Sequence, residues 1–428
     1  MRYGQGVVRS TSQTTASAAA RAWRLPSPAA RGSRAAASAR QSTLRTANLA
    51  LVARQVLSSP TPISRADVAA MTGMTRSTAS RLADDLVGAG ILTELDPAPS
   101  SGPGRPAVPL APPRATFVAL GLEVNVAHMA VRAIDLSGEL LTERVVLDDF
   151  SGSDPAVVLR RLATLVADVL ALPMIRGARP VGAGIALPGL VCDGVLLRAP
   201  NLDWSGVHPS EHLASVLEGN GLSLEVGNEA SLGALTVGRS RPVLAPQWPS
   251  FIYLSGENGI GAGIVRDGQA LEGTNGFAGE IGHVQIDPNG PLCSCGNAGC
   301  LERYAGRRSI LAAAGLAEDA HPEELVAAWQ AGDDGARQAI SSAAHALGVG
   351  LGAAVNLLDI PVVVLGGHLA PLAEVLRPEV EEELGRRVLA SRWTELEILQ
   401  AGSDQMPGAT GAAWSLLETV VADPSAWM

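Results

Sequence analysis

His283, Cys293, Cys295 and Cys300 fall within one short stretch and include three of the chain's four cysteines. One neutral imidazole and three thiolates make a closed tetrahedral shell, which suits structural Zn²⁺ better than any other common cytosolic metal. Glycines at 296 and 299 let the chain turn tightly enough to bring Cys295 and Cys300 round one ion. The competing reading is a set of buried free thiols near an unrelated histidine. Clustering of this kind in so cysteine-poor a chain argues against it.

The run Gly279-Glu280-Ile281-Gly282-His283, followed by Cys293-Ser294-Cys295-Gly296-Asn297-Ala298-Gly299-Cys300-Leu301-Glu302, resembles the signature of the ROK family (repressors, open reading frames and sugar kinases). The similarity extends in weaker form over roughly residues 116–415. It implies an α/β body of actin-like, duplicated ribonuclease-H-like architecture, a two-lobed ATPase fold with sugar and ATP in the cleft. It also implies that zinc buttresses the sugar pocket, that Glu280 hydrogen-bonds sugar hydroxyls, and that His283 touches both metal and sugar. Asn228, Glu229 and Glu302 would complete the pocket. Leu187–Val191 and Ala199–Trp204 resemble the strand and loop of the sugar lobe, which makes Asn201 a hydroxyl contact. Beside Pro200, Asn201 reads equally as a turn-former, and Glu302 competes with a simple helix-start carboxylate.

Kinases of that family end their first strand in Asp-x-Gly-Gly-Thr, whose glycine backbone cradles ATP phosphates. The matching residues here are Glu123-Val124-Asn125-Val126-Ala127. Close backbone approach and permissive dihedrals are what a phosphate cradle needs, and Asn125 and β-branched Val126 obstruct both. Family kinases also use an aspartate after asparagine as general base, where this chain has Asn228-Glu229. The extra methylene displaces the carboxylate by about a bond length, enough to cost ~10²-fold in rate. Ser255–Gly261 resembles the second phosphate loop, though tight hairpins need the same glycines. Val362–Leu365 followed by Gly366-Gly367 matches the family's adenosine region, and the paired glycines read as serving either the fold alone or that site. Binding without catalysis is expected, with no catalytic residue; the alternative is a sugar kinase with an appended DNA-binding head. The histidines at 128, 208 and 368 show no partner pattern and read as packing or surface residues.

Charge supplies the second strong clue. Residues 1–114 hold 14 Arg against 5 acids, a net of +9, while residues 115–428 carry a net of −19, and the chain has no lysine. A basic front end on an acidic body points to a nucleic-acid module; a solvated basic tail is the plain alternative. Ile63–Met71 reads as a helix with Ser64 as cap and Asp67 three residues on. Gly73 breaks the pattern, and Thr75–Leu86 forms a second helix whose Ala79, Leu82, Leu86 and Val87 face a core. Thr75, Arg76, Ser77, Thr78, Ser80 and Arg81 are left largely outward, the hydroxyls and arginines with which a recognition helix meets bases and phosphates. Ile91–Glu94 starts a β-wing, and Arg105 between Gly104 and Pro106 is a groove or phosphate contact. The segment resembles the winged helix of ROK-type repressors, against the alternative of a helical hairpin for dimerisation.

These readings set the organisation. Residues 1–40 are expected to be a disordered basic tail, 41–96 a winged helix-turn-helix, 97–115 a proline- and glycine-rich wing and linker. Residues 116–428 are the sugar-binding body with its zinc motif. No secretory signal and no apolar stretch of membrane-spanning length is evident, which points to the cytoplasm. The expected partners are a double-stranded DNA operator and a monosaccharide or sugar-phosphate effector, bound by a homodimer or homotetramer. Sugar is expected to release DNA, with co-repression the alternative.

Overall fold

Phe117–Val124 reads FVALGLEV and every one of its eight residues is buried, as a central strand covered on both faces demands. That strand, β4 by chain order, stands at the middle of the first of two matching sheets. The computed structural model describes residues 34–97, 107–256 and 259–428, with side chains from residue 43 onward. Residues Thr46–Met428 make one compact unit.

The N-terminal elements are α1 (Arg34–Leu57), β1 (Ile63–Ser64), α2 (Arg65–Thr72), α3 (Arg76–Gly88), β2 (Thr93–Glu94) and β3 (Pro109–Ala111), with strand order β1-β3-β2. This is a winged helix-turn-helix. Ser64 caps α2 with the reciprocal bond to Asp67, and Gly73 ends it in the left-handed conformation. One expectation needs correction: α1 begins at Arg34, inside the tail read as disordered. Its opening run of alanines is the best helix-forming composition available.

The first lobe contains β4, β5 (His128–Asp135), β6 (Leu140–Leu147), α4 (Pro155–Leu170), α5 (Pro173–Arg176), β7 (Arg179–Leu187), the hairpin strands β8 (Leu190–Cys192), β9 (Val195–Ala199) and β10 (Trp204–Val207), α6 (Pro209–Glu218), β11 (Leu224–Asn228) and α7 (Glu229–Ala234). The second contains β12 (Phe251–Ser255), β13 (Gly261–Arg266), β14 (Gln269–Ala270), α8 (Glu302–Ala305), α9 (Arg307–Ala313), α10 (Pro322–Ala331), α11 (Asp334–Leu358), β15 (Val362–Leu365), α12 (Ala373–Arg387), β16 (Glu397–Gln400) and α13 (Pro407–Ala422). The sheet orders are β11-β7-β4-β5-β6 and β14-β13-β12-β15-β16. In both, three antiparallel strands precede two parallel ones added beside the first. That repeat is the duplicated ribonuclease-H-like, actin-like fold, and the C-terminal ends of the central strands of both sheets open on one cleft.

Each lobe lends its last helix to the interface. Helix α13 follows the second sheet yet packs on β4, β7 and β5 of the first, while α7 packs on β12 and β13. Helix α11 is by length and apolarity able to span a membrane, against the expectation that no such stretch exists. It is instead a core helix: Ile340, Leu347, Leu351 and Val355 are buried in the second lobe's core. The N-terminal head does not hang on a loose tether. Leu49, Val52, Leu86 and Ile91 share one core with Phe117, Leu136, Trp414 and Leu417 of the body, each worth ~1.5–3 kcal/mol when fully buried. Arg179 ties the same seam, donating to the carbonyls of Ala89 and Trp427.

Candidate functional site

The glycines of the Gly-Glu-Ile-Gly-His run exist because the backbone leaves no room for side chains. A Cβ at 279 would lie 1.9 Å from the Ala262 carbonyl oxygen, and one at 282 would lie 2.0 Å from that of Ile260. The run is thus pressed against the start of β13, which aims Glu280 and His283 into the cleft. His283 ends a short 3₁₀ turn (Ile281–His283), Cys293 and Cys295 sit in the following loop, and Cys300 lies two residues before α8. Their four donor atoms all lie within 4.8 Å of one another. Cys293 Sγ stands 3.7 Å from His283 Nδ1, and Cys295 Sγ stands 3.7 Å from Cys300 Sγ. A tetrahedron of thiolates at ~2.3 Å from an ion has edges of ~3.8 Å, so the spacing fits a metal ion with no open position. Burial pushes the Cys293 thiol up, and Glu302, whose Oε1 accepts from Cys293 Sγ at 2.9 Å, adds to the shift.

The cleft itself gathers Asn201, Asn228, Glu229, Glu280, His283 and Glu302, which come from β9's loop, β11, α7, the glycine run and α8. Burial also raises the Glu280 carboxyl; nearby His283 opposes the shift and Glu302 adds to it. Asn228 is the least free of the six. Its Oδ1 accepts from the Ser231 N–H as cap of α7, and its Nδ2 donates to the Gly189 carbonyl at 2.9 Å. Asn201 is reached by the metal loop: Ser294 Oγ donates to Asn201 Oδ1 at 3.4 Å, and Arg198 donates to the Cys295 carbonyl. The cysteine loop therefore braces Asn201 of the opposite lobe.

The β4–β5 turn is occupied by its own side chain. Asn125 Oδ1 accepts from the N–H groups of Ala127 and His128, both at 2.9 Å, and Val126 lies almost wholly buried against the cleft. Beneath it, Glu123 Oε1 meets His128 Nε2 at 3.0 Å, and Glu123 Oε2 accepts from the Ala409 N–H in the first turn of α13 at 2.7 Å. His128 and His368 are thus not idle packing residues. His368 sits buried between the carbonyls of Gly256 and Ala305, at 2.9 and 2.8 Å, with burial lowering its pKa. The signal for His128 was available in the hairpin register, which places it diagonally opposite Glu123. His368 depends on a contact 112 residues away and had no local sign.

On the head, Thr75 caps α3 by accepting from the Thr78 N–H. Arg76, Ser77 and Arg81 are exposed, whereas Thr78 and Ser80 are half-buried. Ala79, Leu82, Ala83 and Leu86 form the buried side. Arg65 is held by Asp84 and Glu94. Arg105 lies outside the described residues.

The family model for ROK proteins matches residues 119–419, and that of the IclR helix-turn-helix domain matches residues 54–96. The chain belongs to the ROK family. Among ROK relatives, the putative xylose repressor of Caldicellulosiruptor sp. (strain Rt8B.4) is 28% identical over 377 residues, 82% of this chain and 90% of the relative. The xylose repressor of Bacillus subtilis (strain 168) is 27% identical over 376 residues, 87% and 95% of the two chains. A solved ROK family transcriptional regulator, a homologue of the Escherichia coli MLC protein, superposes with a TM-score of 0.71 at 26% identity, covering 89% of this chain and 99% of its own.

Proposed function

We propose that this protein is a sugar-responsive transcriptional repressor of carbohydrate genes, acting in the cytoplasm, whose body binds sugar without phosphorylating it. The observation that carries the reading is the coexistence of a converged sugar-type cleft with a β4–β5 turn filled by Asn125 and Val126. Sugar sits between the lobes against Asn201, Glu229, Glu280, His283 and Glu302, with Asn228 shaping the turn. Glu229 takes the place of the kinase base at the wrong length, so catalysis is absent. Zn²⁺ is the ion held by His283, Cys293, Cys295 and Cys300. It is structural, since four protein ligands leave no position for chemistry.

Operator DNA is read by Arg76, Ser77 and Arg81 with support from Thr75, Thr78, Ser80 and the wing residue Arg105. Two heads per dimer match a pseudo-palindromic site. Leu357, Leu389 and Trp393, which are 84%, 86% and 82% exposed at one end of the second lobe, suit burial by a second copy. A ligand with unequal affinity for the open and closed lobes shifts their equilibrium. Helix α13 carries that shift: its first turn is bonded to Glu123, and Trp414 and Leu417 lie in the core shared with the head.

Titration of the full chain against DNA flanking its own gene, with and without monosaccharides, tests this. Competitor-resistant binding weakened by one sugar is expected, with no sugar-dependent ADP formation. Phosphorylation at ordinary kinase rates of ~1–100 s⁻¹ would replace the repressor reading by that of a kinase.

A further inference from the structure

A second hollow shares no residue with the sugar cleft. It runs along one side of α13, bounded by the β5–β6 turn, the chain that leaves α7, and strands β12 and β15 of the second sheet. Its volume is about 720 Å³, within the range of sites that hold small organic molecules. Val237, Leu244, Trp248 and Tyr253 give it an apolar wall.

Two donors in that wall have nothing to donate to. The Arg239 side chain is only 8% exposed. Its Nη1 donates to Glu418 Oε1 at 3.0 Å and its Nη2 to the Gly268 carbonyl at 3.4 Å. The buried Nε–H meets no acceptor among the described residues. Trp414 is 5% exposed, and its indole Nε1–H is likewise buried and unmet. Trp414 and Glu418 stand one turn apart on α13, so both donors belong to one neighbourhood. A buried donor without an acceptor destabilises the fold and calls for an explanation; two in one hollow mark a place for acceptor oxygens. Arg132, the other arginine there, is already engaged by Glu143, Asp404 and Thr410. A guanidinium makes its stronger hydrogen bonds to an ionised acceptor. With Asp404 in the wall and Glu418 on Arg239, a single negative charge fits where a doubly charged phosphate is disfavoured.

The geometry points to a second ligand site here, for a small monocarboxylic acid with an apolar body. Its carboxylate meets Arg239 and Trp414, and its body lies against Leu244 and Trp248. The site does not depend on the sugar reading. Its walls continue into the head. Arg241, two residues beyond Arg239, donates to the Ser59 carbonyl of the head. Val243 holds a left-handed backbone (φ 68°), which a β-branched residue adopts only under constraint, and packs on the core shared with the head. Trp414 belongs to that core itself. An acid with unequal affinity for the DNA-bound and free forms therefore changes operator affinity, a role that rests on the repressor reading.

Benzoate and hexanoate are the probes, titrated calorimetrically into the full chain, with acetate and inorganic phosphate as controls. Both probes should bind at millimolar concentrations or below, and the controls should not. Arg239→Gln removes the charge and should weaken benzoate ~10- to 100-fold. Trp414→Phe keeps an aromatic ring, removes the N–H and should weaken benzoate several-fold. Melting curves show whether each variant folds, and either folded variant suffices. Benzoate should also change operator affinity in the native chain and not in Arg239→Gln. Binding of neither probe, or native benzoate affinity in a folded variant, overturns the site. Acetate or phosphate binding as tightly as benzoate means an adventitious ion only. Benzoate bound with operator affinity unchanged overturns the effector role alone. A chain that binds no operator even without acid sinks the repressor reading, while the calorimetry still decides the site.

Discussion

Arg76 and Arg81 are exposed on α3 and make no ion pair among the described residues, while Arg65 on α2 is held by Asp84 and Glu94. The first two are therefore available to phosphate and the third is not. Each phosphate neutralised contributes about 0.9 to the slope of log affinity against log salt. In the proposed dimer, replacing both arginines by alanine would remove two phosphate contacts from each of two heads. The slope should flatten by roughly 3.6. Between about 50 and 200 mM salt the native protein should lose roughly 150-fold more affinity than the double variant. Arg65→Ala should leave the slope unchanged, because its partners are the protein's own carboxylates. Fluorescence anisotropy of labelled operator at five salt concentrations measures all three slopes. A double variant with the native slope would mean that α3 does not face the DNA backbone, and the assigned recognition surface would be wrong.

Three further outcomes follow from the geometry of the body. A Cβ at position 411 would lie 1.8 Å from the Leu232 carbonyl oxygen, where α13 crosses α7. Gly411→Ala should thus cost ~1–3 kcal/mol or more, read as a lower midpoint in denaturant, whereas Gly385→Ala, with nothing near its added Cβ, should not destabilise. Treatment with a strong chelator should lower the melting temperature by several degrees and abolish the sugar response, and added Zn²⁺ should restore both. Because the proposed ligands would bind as thiolates and neutral imidazole, protons would compete with the metal. Zinc release should therefore become easier as pH falls, measured with a chromogenic zinc indicator; release independent of pH would argue against the cysteine shell.

Local chemistry with short-range consequences was legible in the chain. The metal cluster spans one loop, so spacing alone brings its donors together. The capping pair Ser64 and Asp67 and the left-handed Gly73 mark α2, and the apolar steps of α3 mark its buried side. These depend on helix periodicity and turn sterics, which act over a few residues. The six cleft residues were named from motif resemblance, but their convergence required two sheets to close on each other. Nothing local places Asn201 beside Ser294 or His368 between Gly256 and Ala305. The α1 start at Arg34 was missed because a polar, alanine-rich run reads as unstructured when only apolar burial is weighed. Residues 97–115 read as wing and linker, and nothing in that segment announces the core that head and body share around Phe117, Trp414 and Leu417. That core is made by residues some 300 positions apart in sequence, and long-range packing of this kind leaves no periodic trace. By itself, the sequence determined which residue types the chain carries and at what spacing: a histidine and cysteine cluster, a glycine run bearing Glu280, and a helix bearing Arg76 and Arg81. Only the tertiary structure decided that Asn125 fills its own turn, that the six candidate residues converge on one cleft, and that α13 runs from cleft to head, because each depends on which distant backbones approach one another.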